Sequence, residues 1–186
     1  GIVAIYGFFQ LFGWAAIHQG STRIDASLGN AIYMAVYMMF NSFIALYMSL
    51  LSFDKKNKPS TWMYLIVAII FAFLMFQTAT RGVFLGYVSG LFVGLITLIF
   101  ASKDKGIRVV SSVVILSIIL LGSLFWVYRD TKFIQNDPVL SRFANMKISD
   151  TKTQARGYIW PMAIDGVFSN TKNTIIGVGQ ENFNYI

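Results

Sequence analysis

The sequence predicts an all-α fold, a polytopic bundle of transmembrane helices with about five spans over residues 1–128, followed by a polar segment over 129–186. Three observations predict it. Hydrophobic residues make up 56% of the chain and charged ones only 12%, about half the charged share of an ordinary soluble domain. Apolar runs of roughly 20 residues, enough to cross a hydrocarbon core of about 30 Å as helix, recur along the first two thirds. Clusters of lysine, and Trp14, Trp62 and Trp126, fall near the ends of those runs, as at a membrane interface.

The first run, 2–16, is short. It starts at Gly1 without an initiator Met, a basic stretch or a cleavage site, so it does not read as a signal peptide, and the chain is expected to be an excerpt. The next spans are expected at 30–53, 61–80, 82–101 and 109–127. Two short loops carry clustered cations: "DKKNKPS" at 54–60 and "SKDKGIR" at 102–108. The positive-inside rule puts both in the cytoplasm and the connection "TATRG" at 78–82 on the other side. Arg23, Arg81, Arg129, Lys132 and Arg142 on that other side nearly balance the count.

Polar residues inside apolar runs need a reason. Arg81 lies four residues after Gln77, on the same face if the helix persists that far. With Thr78 and Thr80 the pair makes a small polar pocket suited to a guanidinium gripping phosphate oxygens. The alternative is that Arg81 reaches for the headgroups and holds nothing specific. Gly82, Gly86, Gly90 and Gly94 line one face of the following helix and are expected to allow tight helix packing, with a lipid-chain groove as the other option. Gln10 and Asn41 are expected to hydrogen-bond between helices.

In the polar segment Trp160, Ala163, Ile164, Val167 and Phe168 recur at helical spacing, with Arg156 four before Trp160. Pro161 is then expected near a helix start or kink. Such a helix could equally lie flat on the bilayer. "IIGVGQENF" lacks the pattern of a dinucleotide-binding strand–turn–helix and reads as a turn.

Several chemistries are excluded. Cysteine is absent, so there are no disulfides, thiol nucleophiles or thiolate metal sites. The acidic residues show no metal-ligand spacing, and no GxSxG or phosphate-loop motif occurs. His18, the sole histidine, reads as an interfacial residue. The net charge of +7 comes without any nucleic-acid-binding motif, so membrane lipid is the expected partner and nucleic acid is not.

"STRIDASLGNAIYMAVYMMF" (21–40), "TATRG" (78–82), "ARGYIWPMAIDGVF" (155–168) and "IIGVGQENF" (175–183) occur in an order that resembles the O-antigen ligase and O-antigen polymerase (Wzy-type) superfamily of bacteria. The resemblance implies a GT-C-like inner-membrane glycosyltransferase with an extracytoplasmic loop of short amphipathic helices. Such an enzyme moves a glycan from an undecaprenyl-diphosphate donor to a lipid or glycan acceptor outside the cytoplasm, without metal or cofactor. It also implies that Arg81 and Arg156, with Arg23, bind the donor diphosphate, supported by Gln77, Thr80 and Trp160. The family's general-base histidine would lie beyond Ile186, and His18 does not match it, so residues 1–186 alone are expected to be inactive. A transporter or flippase for polyprenyl-linked sugars is the alternative. A non-catalytic scaffold would leave the arginine motifs unexplained.

Overall fold

A computed structural model describes residues 1–18, 23–145, 151–169 and 171–176. Every regular element among them is helical. The chain divides into two units, residues 1–145 and 146–186. The first contains α1 (Ile2–Leu11), a short 3₁₀ turn (Ala26–Leu28), α2 (Ala31–Asp54), α3 (Lys58–Gln77), α4 (Arg81–Ala101), α5 (Lys105–Tyr128), α6 (Lys132–Asn136) and α7 (Leu140–Ala144). The second contains α8 (Thr151–Phe168) and α9 (Thr171–Ile176).

Four helices are long and apolar enough to cross a membrane: 31–53 in α2, and the whole of α3, α4 and α5. The protein is therefore a multi-pass membrane protein. The fifth stretch, expected over 2–16, is helical only over the ten residues of α1, which rise about 15 Å, half of a hydrocarbon core. Its end is set by Gly13, whose φ of +74° turns the chain while the Gly13 N–H bonds the Gln10 carbonyl.

Local capping fixes where the long helices start. The Asn30 side chain accepts from the Ile32 N–H at 2.8 Å and opens α2. The Asn57 side chain accepts from the Ser60 N–H at 3.4 Å, with Pro59 in the first turn of α3, where its missing N–H costs nothing. Asp104 Oδ1 accepts from the Gly106 N–H at 2.6 Å and opens α5. These caps start α3 and α5 three or four residues before the apolar runs alone would place them.

Packing is tightest between α2 and α3, where Met34, Ala35 and Met38 meet Phe71, Leu74 and Met75. α1 crosses this pair closely. A Cβ on Gly7 would stand 2.6 Å from the Met34 methyl. α4 joins through a buried hydroxyl relay, in which Ser42 Oγ donates to the Ala68 carbonyl at 2.9 Å and lies 2.8 Å from the Tyr87 hydroxyl. One helical turn away, a Cβ on Gly90 would stand 2.8 Å from the Phe43 ring. The tight packing expected of the glycine row is thus met at Gly90, whereas Gly82, Gly86 and Gly94 have no neighbour within 4 Å of an added Cβ. Asn41 does not reach another helix, because its side-chain amide bonds the Tyr37 carbonyl of its own helix at 2.8 Å.

In the second unit α8 carries Pro161 in its interior rather than at a start. Proline there leaves the Gly157 carbonyl without its helical donor. Trp160, Ile164 and Phe168 form an exposed apolar stripe, and the Thr174 hydroxyl ties α9 back to the Val167 carbonyl at 3.1 Å.

Candidate functional site

The helices of the first unit alternate in direction, so its two ends differ in chemistry. One end carries the turns between α2 and α3 and between α4 and α5, with Lys55, Lys56, Lys58, Lys103 and Lys105. The other, the arginine end, carries residues 12–18 and 23–30, the turn from Thr78 to Thr80, and α6 with α7.

At the arginine end the expected pairing of Gln77 with Arg81 does not occur along one helix. α3 stops at Gln77, Ala79 takes a left-handed φ of +51°, and α4 starts at Arg81. Gln77 and Arg81 therefore belong to different helices, and the shared face is lost because the three residues between them turn the chain. Arg81, half-buried, is the first residue of α4. A cation at this position faces the positive end of the helix dipole, where an anion is favoured.

The two threonines of "TATRG" hold a different arginine. Arg23 Nε donates to the Thr78 carbonyl at 2.9 Å, and Arg23 Nη2 donates to Thr80 Oγ1 at 2.9 Å. The Thr78 hydroxyl donates to the Met75 carbonyl at 2.6 Å, closing the end of α3. Burial pushes the Arg23 guanidinium below its usual pKa, and the charge of Arg142 acts in the same direction.

The chain around Arg23 is fixed from α1. Gln10 Nε2 donates to Asp25 Oδ1 at 2.7 Å and to the Ala16 carbonyl at 2.7 Å. Gln10 Oε1 accepts from the N–H groups of Asp25 and Ala26 at 3.0 and 2.7 Å. Asp25 is fully buried and also accepts from the His18 N–H at 3.0 Å, with His18 Nδ1 3.3 Å from its carboxylate. Gln10 was expected to bond between helices and instead serves a loop. The signal was present as a lone amide in an apolar run, but its partner lies fifteen residues on.

Residues from the start of the polar segment expected over 129–186 also build this end. Asp137 Oδ1 accepts from the Val139 and Leu140 N–H groups at 2.8 and 2.7 Å, which starts α7. α7 then places Phe143 with its ring 5.0 Å from Phe76 and 4.8 Å from Phe84. Beneath this aromatic cluster a groove of about 1040 Å³ runs between α4 and α5. Phe84, Val88, Leu91 and Phe92 line it on one side, Ile118, Gly122, Phe125 and Trp126 on the other, and Phe76, Leu140 and Phe143 at the arginine end. Its two hydroxyl-bearing residues are already engaged, Tyr87 with Ser42 and Ser123 with the Ile119 carbonyl. The wall offered to an occupant is hydrocarbon, and it descends along α4 from Phe84 to Phe92, about 12 Å of helix. The Gly82–Gly94 row faces elsewhere; Gly122 is the glycine in this wall.

No family model, no curated protein and no solved structure matches the chain.

The remaining expected site residues lie in the second unit. Trp160 is an exposed residue of α8. Arg156 falls within α8, but its side chain is outside the described residues, as are residues 177–183 of the "IIGVGQENF" element. Among the described residues no group of three His, Asp or Glu side chains is arranged to hold a metal ion.

Proposed function

We propose that this protein transfers a glycan from an undecaprenyl-diphosphate donor to a lipid or glycan acceptor, as an O-antigen ligase or polysaccharide polymerase with a GT-C-like helical fold. The observation that carries the reading is the junction at the start of α4. Arg81 stands one helical turn before Phe84, the first α4 residue of an apolar groove that runs on into the spanning helices. A donor made of a long hydrocarbon chain and a diphosphate has these two chemistries in this order. On this reading the chain lies in the groove, and Arg81 and Arg156 bind the diphosphate.

The same arginines serve the chemical step. As the acceptor hydroxyl attacks the anomeric carbon, the bond to the diphosphate breaks and negative charge builds on the leaving oxygen. Fixed guanidinium groups stabilise that charge more than they stabilise the ground state. The reading places the protein in the bacterial inner membrane with the arginine end extracytoplasmic, in keeping with clustered lysines at the opposite end.

Glycan transfer by the full-length protein in vesicles supplied with undecaprenyl-diphosphate oligosaccharide tests this. Wild type should transfer, and Arg81→Ala and Arg156→Ala at matched protein levels should each lose about 100-fold, the usual scale for one lost charge-stabilising donor. Vesicles that move the lipid-linked sugar across the membrane without transferring it would replace this reading with a transporter.

A further inference from the structure

We propose that Arg23 is a positioning residue, which holds the turn between α3 and α4 so that Arg81 and the first turn of α4 are presented to the donor diphosphate. This rests on the reading above, and it gives Arg23 a task other than the direct diphosphate contact that the resemblance implies.

The argument starts from the two helix ends that meet at this turn. The last carbonyls of α3 carry the negative end of its dipole, and Arg23 Nε donates to one of them, that of Thr78. Thr80 is the N-cap of α4, a position from which a threonine hydroxyl usually accepts a hydrogen bond from the second or third helical N–H. Here it makes no such bond. Its oxygen accepts from Arg23 Nη2 at 2.9 Å and lies 3.1 Å from the Thr78 hydroxyl oxygen. Arg23 thus draws the capping oxygen away from the start of α4. That change matters for a site whose ligand is itself an acceptor, because a hydroxyl in the cap position would compete with a phosphate oxygen. The space beside the first turn is open, since a Cβ on Gly82 would meet nothing within 4 Å.

The turn needs an outside hold. Ala79 is left-handed at φ +51° and almost fully buried, a conformation that persists in a non-glycine residue where its surroundings impose it. Arg23 supplies part of that hold from 55 residues away in sequence. It can do so because Gln10 pins the backbone of Asp25 and Ala26 just beyond it.

Two measurements on the full-length protein test the proposal. The chain of 186 residues has no cysteine, so in an otherwise cysteine-free background Gly82→Cys reports on the start of α4 through its rate of thiol labelling. Arg23→Ala and Thr80→Val should each change that rate. The second measurement compares affinity for undecaprenyl diphosphate with affinity for undecaprenol. General loosening of the fold weakens both, whereas misplacing the head site lowers their ratio. Each single variant should lower the ratio about tenfold, and the double variant should do no more than either alone, because both break one arrangement. A double variant about 100-fold down would mean that Arg23 binds the diphosphate independently of Thr80, which overturns the proposal. Unchanged labelling overturns it as well, and so does changed labelling with an unchanged ratio, which would make Arg23 a structural clasp only. If Arg81→Ala also leaves the ratio unchanged, the diphosphate reading fails with it.

Discussion

The two ends of the first unit carry cations in comparable number but are built differently. At the lysine end the turns close through short-range bonds. Asn57 and Asp104 each accept from N–H groups two or three residues on, and the lysines are exposed. At the arginine end local bonds are joined by others that connect residues fifteen to 57 apart, between α1, the loop before α2 and the turn before α4. Charge is therefore a poor guide to which end holds a ligand. What sets the arginine end apart is that one of its cations, Arg23, is fixed by distant partners, and that this end stands beside an apolar groove.

This contrast predicts a graded set of effects, measurable by unfolding of the purified protein in mixed micelles. The largest should follow loss of the hub at the arginine end: Gln10→Leu removes the partner of a buried carboxylate and two backbone N–H groups and should cost roughly 3 kcal/mol. Equal stability of this variant and wild type would remove the distinction between the ends. Next, the glycine row should divide. Gly90→Ala presses on the Phe43 ring and should cost about 1 kcal/mol, while Gly86→Ala, with open space around it, should stay within about 0.5 kcal/mol of wild type. A similar loss at both would mean that another helix covers the open face. Tyr87→Phe, which deletes the hydroxyl shared with Ser42, should cost about 0.6 kcal/mol, the average for a hydrogen bond between membrane helices. The smallest effect belongs to the lysine end, where Lys55→Ala should change stability by less than about 0.5 kcal/mol.

The same division explains what the sequence disclosed. Apolar runs marked four spanning helices because hydrophobicity over roughly 20 residues is a local property. Trp62 and Trp126 lie exposed near the ends of α3 and α5, as an interfacial position requires. The start of α3 was shifted by Asn57 and Pro59, a capping signal that hydropathy does not register. The connection at "TATRG" is legible because two apolar runs of about 20 residues meet there, whereas the left-handed Ala79 within it is not, since Thr78, Ala79 and Thr80 carry no glycine or proline. For the site, Arg81 stood out as a charge in an apolar run. The bonds from Arg23 to Thr78 and Thr80, and the seating of Phe143 between Phe76 and Phe84, depend on residues dozens of positions apart that no local pattern links.

The most direct test of the central claim is photocrosslinking with a diazirine-bearing polyprenyl diphosphate in vesicles, with the labelled residues mapped by proteolysis. The account predicts labels on 84–92 of α4 and 118–126 of α5, weakened by Arg81→Ala and by replacing the diphosphate with the alcohol. Labels on the open glycine face instead, or equal labelling by the alcohol and the diphosphate, would contradict it.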